Sequence, residues 1–155
     1  MTSCFLFFNT GNLIFNERLN DPFRTILNTL ITAAFSGLST MLMKTIFRLK
    51  EAIYEGPYDA QTLCNGVITG LVASAGGAVN METWAAVVVG ILAGIFYFLS
   101  SLMFDALKVD DPCHASHIYL IGGIWGILSM ALLDQTQGVV YPSHSDNDRG
   151  TFLGY

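Results

Sequence analysis

The sequence predicts an all-α membrane protein of about four transmembrane helices preceded by a partial N-terminal helix, and three observations carry that prediction. Only 12% of the residues are charged, 52% belong to the apolar set AVILMFWYC, and the mean hydropathy is +0.51. A soluble domain carries about 25% charge, so a globule of this composition has too little polar surface to cover itself in water. Four stretches, 25–46, 63–79, 84–103 and 115–133, contain no Asp, Glu or Arg, and each is close to the ~20 helical residues that cross a hydrocarbon core of about 30 Å. None alternates polar and apolar residues as a barrel strand does.

The same composition excludes other classes. Disorder needs few apolar residues and much charge. Seven Lys and Arg stand against 12 Asp and Glu, a net charge of −5, so no basic patch exists to hold nucleic acid. The three cysteines, Cys4, Cys64 and Cys113, are far apart and odd in number. They suggest small buried hydrophobes and no disulfide frame. No N-x-S/T glycosylation signal occurs.

Taken in order, residues 1–24 form an N-terminal partial helix and loop, 25–133 the four-span bundle, and 134–155 a polar tail. Residues 1–15 carry an apolar patch but no Lys or Arg. They lack the basic region of a signal peptide, so any organellar address is expected to be internal. The first span holds one charge, Lys44, close enough to its end to reach the headgroups. The second is short and rich in small residues. Asn80-Met81-Glu82-Thr83 links it tightly to the third, which Trp84 opens as an interfacial aromatic. Asp110-Asp111-Pro112 precedes the fourth. Asp111 is placed to cap its N-terminus, Pro112 suits the first turn, and both carboxylates sit near the positive end of the helix dipole.

Alternating spans put the 47–62 and 104–114 loops on one side with Lys44, Arg48, Lys50 and Lys108. Arg18, Arg24 and Arg149 lie on the other. This modest excess places both loops on the cytoplasmic or equivalent side.

Helices in lipid associate by close packing of small residues. Gly66-xxx-Gly70, Gly90-xxx-Gly94 and Gly122-xxx-Gly126 occur in the second, third and fourth spans. Three such pairs in succession predict a compact bundle whose backbones touch. The intramembrane polar residues, His117 and Tyr119 with Asn28 and Asn65 near span ends, are expected to form interhelical hydrogen bonds.

Several motifs point to a family. The run Asn65-Gly66 to Gly70-Leu71-Val72, Trp84-Ala85-Ala86 to Gly90-Ile91-Leu92-Ala93-Gly94, Lys108-Val109-Asp110-Asp111-Pro112 and Gly123-Ile124-Trp125-Gly126 resembles the ammonium transporter/Rh channel family. Phe8-Asn9-Thr10-Gly11 resembles its aromatic-Phe-Asn-Ala-Gly stretch. The resemblance covers residues 4–133, and the pairing of DDP with GIWG is its most specific part. It implies the family fold, eleven spans in two inverted repeats, with trimers that conduct ammonia or ammonium through a pore between the repeats. A histidine from each repeat and stacked phenylalanines line that pore. Such symmetry puts the substrate at the repeat interface.

This chain resembles only the second repeat, entered partway through its first helix. Phe8 falls on the gate phenylalanine and Asn12 near a small polar residue of the recruitment site. The family's second pore histidine lies seven residues after the DDP proline and four before GIWG, and both counts land on Tyr119. A phenol, with a pKa of about 10, does not relay protons as a neutral imidazole does. His117 is two positions away, about 200° around an α-helix. It is expected to face away from Tyr119 unless the helix shifts locally. Phe8, Asn12, Tyr119 and His117 are therefore vestigial pore positions.

The resulting expectation is a non-transporting, ammonium-transporter-like accessory subunit, held in a larger membrane complex by other membrane-protein subunits and lipids. A mitochondrial respiratory-chain complex in the inner membrane is the assembly suggested by analogy. The alternative is an ammonia or ammonium channel completed by a partner chain or by oligomerisation. No catalytic set appears: GxSxG, a Walker loop and HExxH are all absent. No enzyme activity, small-molecule substrate, cofactor or metal is expected. Cys113, His114 and His117, with His144 or Asp146, fit no standard zinc spacing. In the tail, Phe152 and Tyr155 are candidate anchors to a partner.

Overall fold

The computed structural model describes residues 2–15 (side chains 2–11), 22–48 (side chain of Arg48 excepted), 60–108 (side chain of Asp105 excepted), 111, 113–134 and 139–140. It contains helices α1 (Thr2–Phe15), α2 (Pro22–Arg48), α3 (Ala60–Ser74) and α4 (Thr83–Leu107), a π-helical segment (Ser116–Ile121), and α5 (Gly122–Leu133), which continues it. No strand occurs among the described residues. In lipid every backbone polar group must be paired internally, which favours helix even for the β-branched run of α2.

Three stretches are long and apolar enough to cross a membrane, Pro22–Phe47, Thr83–Phe104 and Ser116–Leu133. The expected second span is the exception. At about 1.5 Å per residue, the 15 residues of α3 fall short of a full hydrocarbon core. Residues 75–80 leave the helix as consecutive turns. Gly76 and Gly77 weaken helix there. The amide N–H groups of Gly77 and Ala78 instead donate to the carbonyl of Ser74, and those of Asn80 and Met81 to that of Gly77. Such irregular backbone is stable at membrane depth only inside protein, and Gly77, Ala78 and Met81 are buried.

α2 is the hub. Contacts descend along α3 as they rise along α2, from Gly37 against Val67 to Ala33 against Gly70, so the two helices are antiparallel. Contacts with α4 rise together, from Thr32 at Gly90 to Ser39 at Gly94, so that pair is parallel. Tyr97 and Phe104 of α4 meet His117 while Phe96 meets Trp125, which makes α5 antiparallel to α4. The ends of α2 and α4 and the starts of α3 and the π segment thus share one side of the bundle. Lys44 and Lys108 lie toward that side.

The face that α2 turns inward is polar. Thr25, Thr29, Thr32, Ser36 and Thr40 are all fully buried, spaced by three or four residues in one stripe. Phe23, Leu30, Leu38 and Leu42 face outward and are exposed. This inverts the pattern of a soluble helix, because small hydroxyls let backbones approach and bond across helices while leucines meet lipid equally well. Ser36 Oγ donates to the carbonyl of Gly66 (2.7 Å) and Ser39 Oγ to that of Ile91 (2.8 Å), while the single proton of Thr32 Oγ1 is shared between the carbonyls of Asn28 (2.8 Å) and Ala86 (3.2 Å). The hydrogen bonds of this stripe bind α3 and α4 to α2 without passing through His117 or Tyr119.

Glycines open the approach. A Cβ on Gly66 would stand 2.6 Å from Thr40 Oγ1. On Gly70 it would stand 2.6 Å from Ser36 Cβ, and on Gly90 2.6 Å from the carbonyl oxygen of Thr32. On Gly94 it would strike the carbonyl oxygen of Ser36, and on Gly126 it would lie 2.8 Å from that of Ala73. Gly122 is looser, 3.2 Å from Thr69 Cγ2. A small apolar cluster of Ala73, Met81, Ala85, Val89 and Ala93 fills the neighbouring face of α4, closed by Trp125 and Leu133.

The cysteines correct an expectation. Cys4, Cys64 and Cys113 are free and exposed, not buried. Cys64 leaves α3 on a face other than the Gly66–Gly70 seam, and a thiol behaves there as a small apolar group toward lipid.

Candidate functional site

The last span, where the resemblance puts Tyr119 at a pore position, is built unusually. Its first six residues, Ser116–Ile121, are a π-helix, a rare form that recurs at functional sites. Asp111 sets its start. The carboxylate accepts hydrogen bonds from the amide N–H groups of Ser116 (2.8 Å) and Ala115 (3.3 Å). These donors, the Ser116 amide foremost, together with nearby His117, hold the Asp111 carboxyl below its ordinary value of 3.8. His114, in a left-handed conformation at φ 51°, turns the chain into the helix. Asp110 and Pro112 lie outside the described residues.

His117 and Tyr119 leave this segment on different sides. His117 is 2% exposed and Tyr119 is 49% exposed. The His117 ring is wedged among Phe104 (4.6 Å between ring centroids), His114 (5.1 Å) and Tyr97 (6.2 Å). Its Nδ1 lies 3.7 Å from Asp111 Oδ2. The imidazole is therefore a packed strut between α4 and the start of the last span. The π form does not bring it round to the face of Tyr119.

Phe8 is 64% exposed on α1. α1 packs against α2 and α3 but not against α5, so Phe8 and Tyr119 do not meet within this chain. The side chain of Asn12 lies outside the described residues. So do Lys50, Arg18, Arg149, His144, Asp146, Phe152 and Tyr155. Among the described residues, no three His, Cys, Asp or Glu side chains converge on a point that could hold a metal ion.

The polar residues near span ends find partners. Asn65 Nδ2 donates to Tyr97 Oη across α3 and α4 (3.0 Å). Asn28 Nδ2 donates to the carbonyls of Met81 (2.7 Å) and Ala78 (3.1 Å). Lys44 Nζ donates to Thr62 Oγ1 (2.7 Å) at the start of α3. Sequence reasoning missed one residue of this kind. Asn9, next to Phe8, is 3% exposed, and its Nδ2 donates to Thr29 Oγ1 (3.0 Å) and Ser74 Oγ (3.3 Å). The available signal was an amide in an otherwise apolar half-span.

Comparison with known proteins bears on this arrangement. A profile of the Ammonium Transporter Family matches residues 2–154. Ammonium transporter 3 of Dictyostelium discoideum is 40% identical over 80 residues, 51% of this chain and 19% of that protein. Ammonium transporter 1 member 1 of Arabidopsis thaliana is 26% identical over 149 residues, 95% of this chain and 28% of that protein. The crystal structure of Mep2 from Saccharomyces cerevisiae superimposes with a TM-score of 0.70 at 23% identity, over 97% of this chain and 33% of that one. The chain thus spans well under half the length of the relatives it matches. With nearly every residue inside the family profile and the fold shared, the chain belongs to the ammonium transporter family.

Proposed function

We propose that this bundle is a non-conducting, ammonium-transporter-like scaffold whose outward face seats a second membrane bundle. The observation that carries this reading is Tyr119. A half-exposed phenol stands at the place where the family resemblance calls for an imidazole, and the nearby imidazole, His117, is committed to packing on the other side. Without a neutral imidazole the face offers no relay of the family's kind. Phe8, Leu120, Ile124 and Ile127 are also exposed, and these side chains suit a protein or lipid contact. The bundle serves as an accessory subunit of a larger membrane assembly. A mitochondrial respiratory-chain complex is the first to probe, on analogy alone.

A second reading is an ammonia or ammonium channel completed by another bundle. It is favoured by Phe8 and Tyr119 both pointing outward, where a partner could close a conduit over them. Stopped-flow ammonia uptake by proteoliposomes holding the chain with whatever co-purifies separates the two. The scaffold reading expects uptake no faster than protein-free vesicles. Uptake that is lost on Tyr119→Phe or His117→Ala overturns it.

A further inference from the structure

We propose that the broken end of α3 holds a binding site for a small monovalent cation of about the size of a water molecule. The turns from Ala75 to Asn80, together with Asn9 and Met130, enclose a cavity of about 30 Å³. That is room for about one or two water-sized species. The cavity lies at the C-terminal end of α3, where the helix dipole makes the local potential negative. Unwound backbone at the end of a half-helix is the kind of structure that holds alkali cations inside membrane proteins.

The independent pointer is Asn9. Its side chain is 3% exposed and lines the cavity. Its Oδ1 is buried and has no hydrogen-bond partner among the described residues. The orientation of the carboxamide follows from its neighbours. Thr29 Oγ1 donates its proton to the carbonyl of Thr25 (2.8 Å), and Ser74 Oγ donates its own to that of Leu71 (2.8 Å). Each hydroxyl has a single proton to give. With their protons placed there, both accept from Asn9, which presents its NH₂ to them and its oxygen elsewhere.

A second carboxamide repeats the logic. Asn28 gives its NH₂ to the carbonyls of Ala78 and Met81, which can only accept, and its Oδ1 is also buried without a partner. Asn28 thereby ties α2 to the turn that walls the cavity. Leaving a buried acceptor unmatched is unfavourable. A cation, or a small ion that donates N–H groups, seated in the cavity satisfies the Asn9 oxygen. Asn80, on the cavity wall, also donates to Asp134 Oδ2 (3.3 Å), which sets a carboxylate one residue beyond the site and adds to its preference for positive charge.

The test uses the full chain in detergent micelles and follows thermal unfolding in NaCl, KCl or NH₄Cl against choline chloride at equal ionic strength. Choline is too large for the cavity. At least one small cation is expected to raise the midpoint by several degrees with a saturating concentration dependence. Asn9→Leu removes the oxygen and abolishes the dependence. In Asn9→Asp, Thr29 and Ser74 can turn to donate, and the added charge lowers the half-saturating cation concentration by about tenfold. Identical midpoints in all four salts mean that the cavity takes water only, and overturn the proposal. So does a cation response unchanged in Asn9→Asp, which stands even where Asn9→Leu fails to fold.

Discussion

Ser36 Oγ donates to the backbone carbonyl of Gly66 at 2.7 Å, a hydrogen bond made directly between α2 and α3. Ser36→Ala removes it while leaving the backbones in contact. The expected loss of stability is about 0.6–2 kcal/mol, the range for such bonds in lipid. Unfolding by SDS in mixed micelles measures it.

Glycine positions divide sharply by what surrounds them. A Cβ on Gly70 meets Ser36 Cβ at 2.6 Å and the backbone oxygen of Thr32 at 2.7 Å, whereas a Cβ on Gly123 meets nothing within 4 Å. Gly70→Ala therefore forces α2 and α3 apart and costs about 1–3 kcal/mol. Gly123→Ala is expected to be neutral or slightly stabilising, through helix propensity. Equal effects of the two changes would show that the seam is not the determinant of packing.

Asp111 predicts an acid limb. Its carboxyl lies below 3.8 in the folded protein, chiefly because of the Ser116 amide. Stability from this depressed group is fully present above the unfolded value. It is lost as pH falls through the folded value, in the window below about 3.8. Asp111→Asn cannot titrate, so its unfolding midpoint should change less over that window than the wild type. Circular dichroism melts between pH 2 and 5 report the difference.

His117 and Tyr119 are two residues apart and are expected to respond oppositely. Removing the buried ring in His117→Ala leaves a hole among Phe104, His114 and Tyr97 and costs about 1–3 kcal/mol. Tyr119→Ala, on the exposed face, stays within about 0.5 kcal/mol in the isolated chain. A large loss on Tyr119→Ala would mean that the phenol packs within this bundle.

The fold was largely legible because lipid simplifies the code. Absence of charge over about 20 residues is a strong signal, and it located α2, α4 and the last span to within a few residues. The break in α3 was hidden. Ala75-Gly76-Gly77-Ala78 is as apolar as the helix before it, and hydropathy does not register loss of helix propensity. The π segment was equally silent, since nothing in Ser116–Ile121 distinguishes i+5 from i+4 pairing. The stripe on α2 escaped for a different reason. Thr and Ser are neutral, so they look tolerable in lipid, and their inward placement is fixed only by the carbonyls of α3 and α4 opposite. Resemblance alone assigns Phe8, Asn12 and Tyr119 to pore positions. The role of Asn9 required its hydroxyl neighbours, one of them 65 residues away in sequence.

Thr25, Thr29, Thr32, Ser36 and Thr40 recur at nearly one helical turn, like evenly cut teeth on a rack. Evenly cut teeth mesh almost as well after a slip of one notch. What breaks the degeneracy is Asn28, whose carboxamide clasps Ala78 and Met81 on either flank of a single bend. No other rung offers that bend, so this one amide serves as the alignment pin that fixes which tooth meets which.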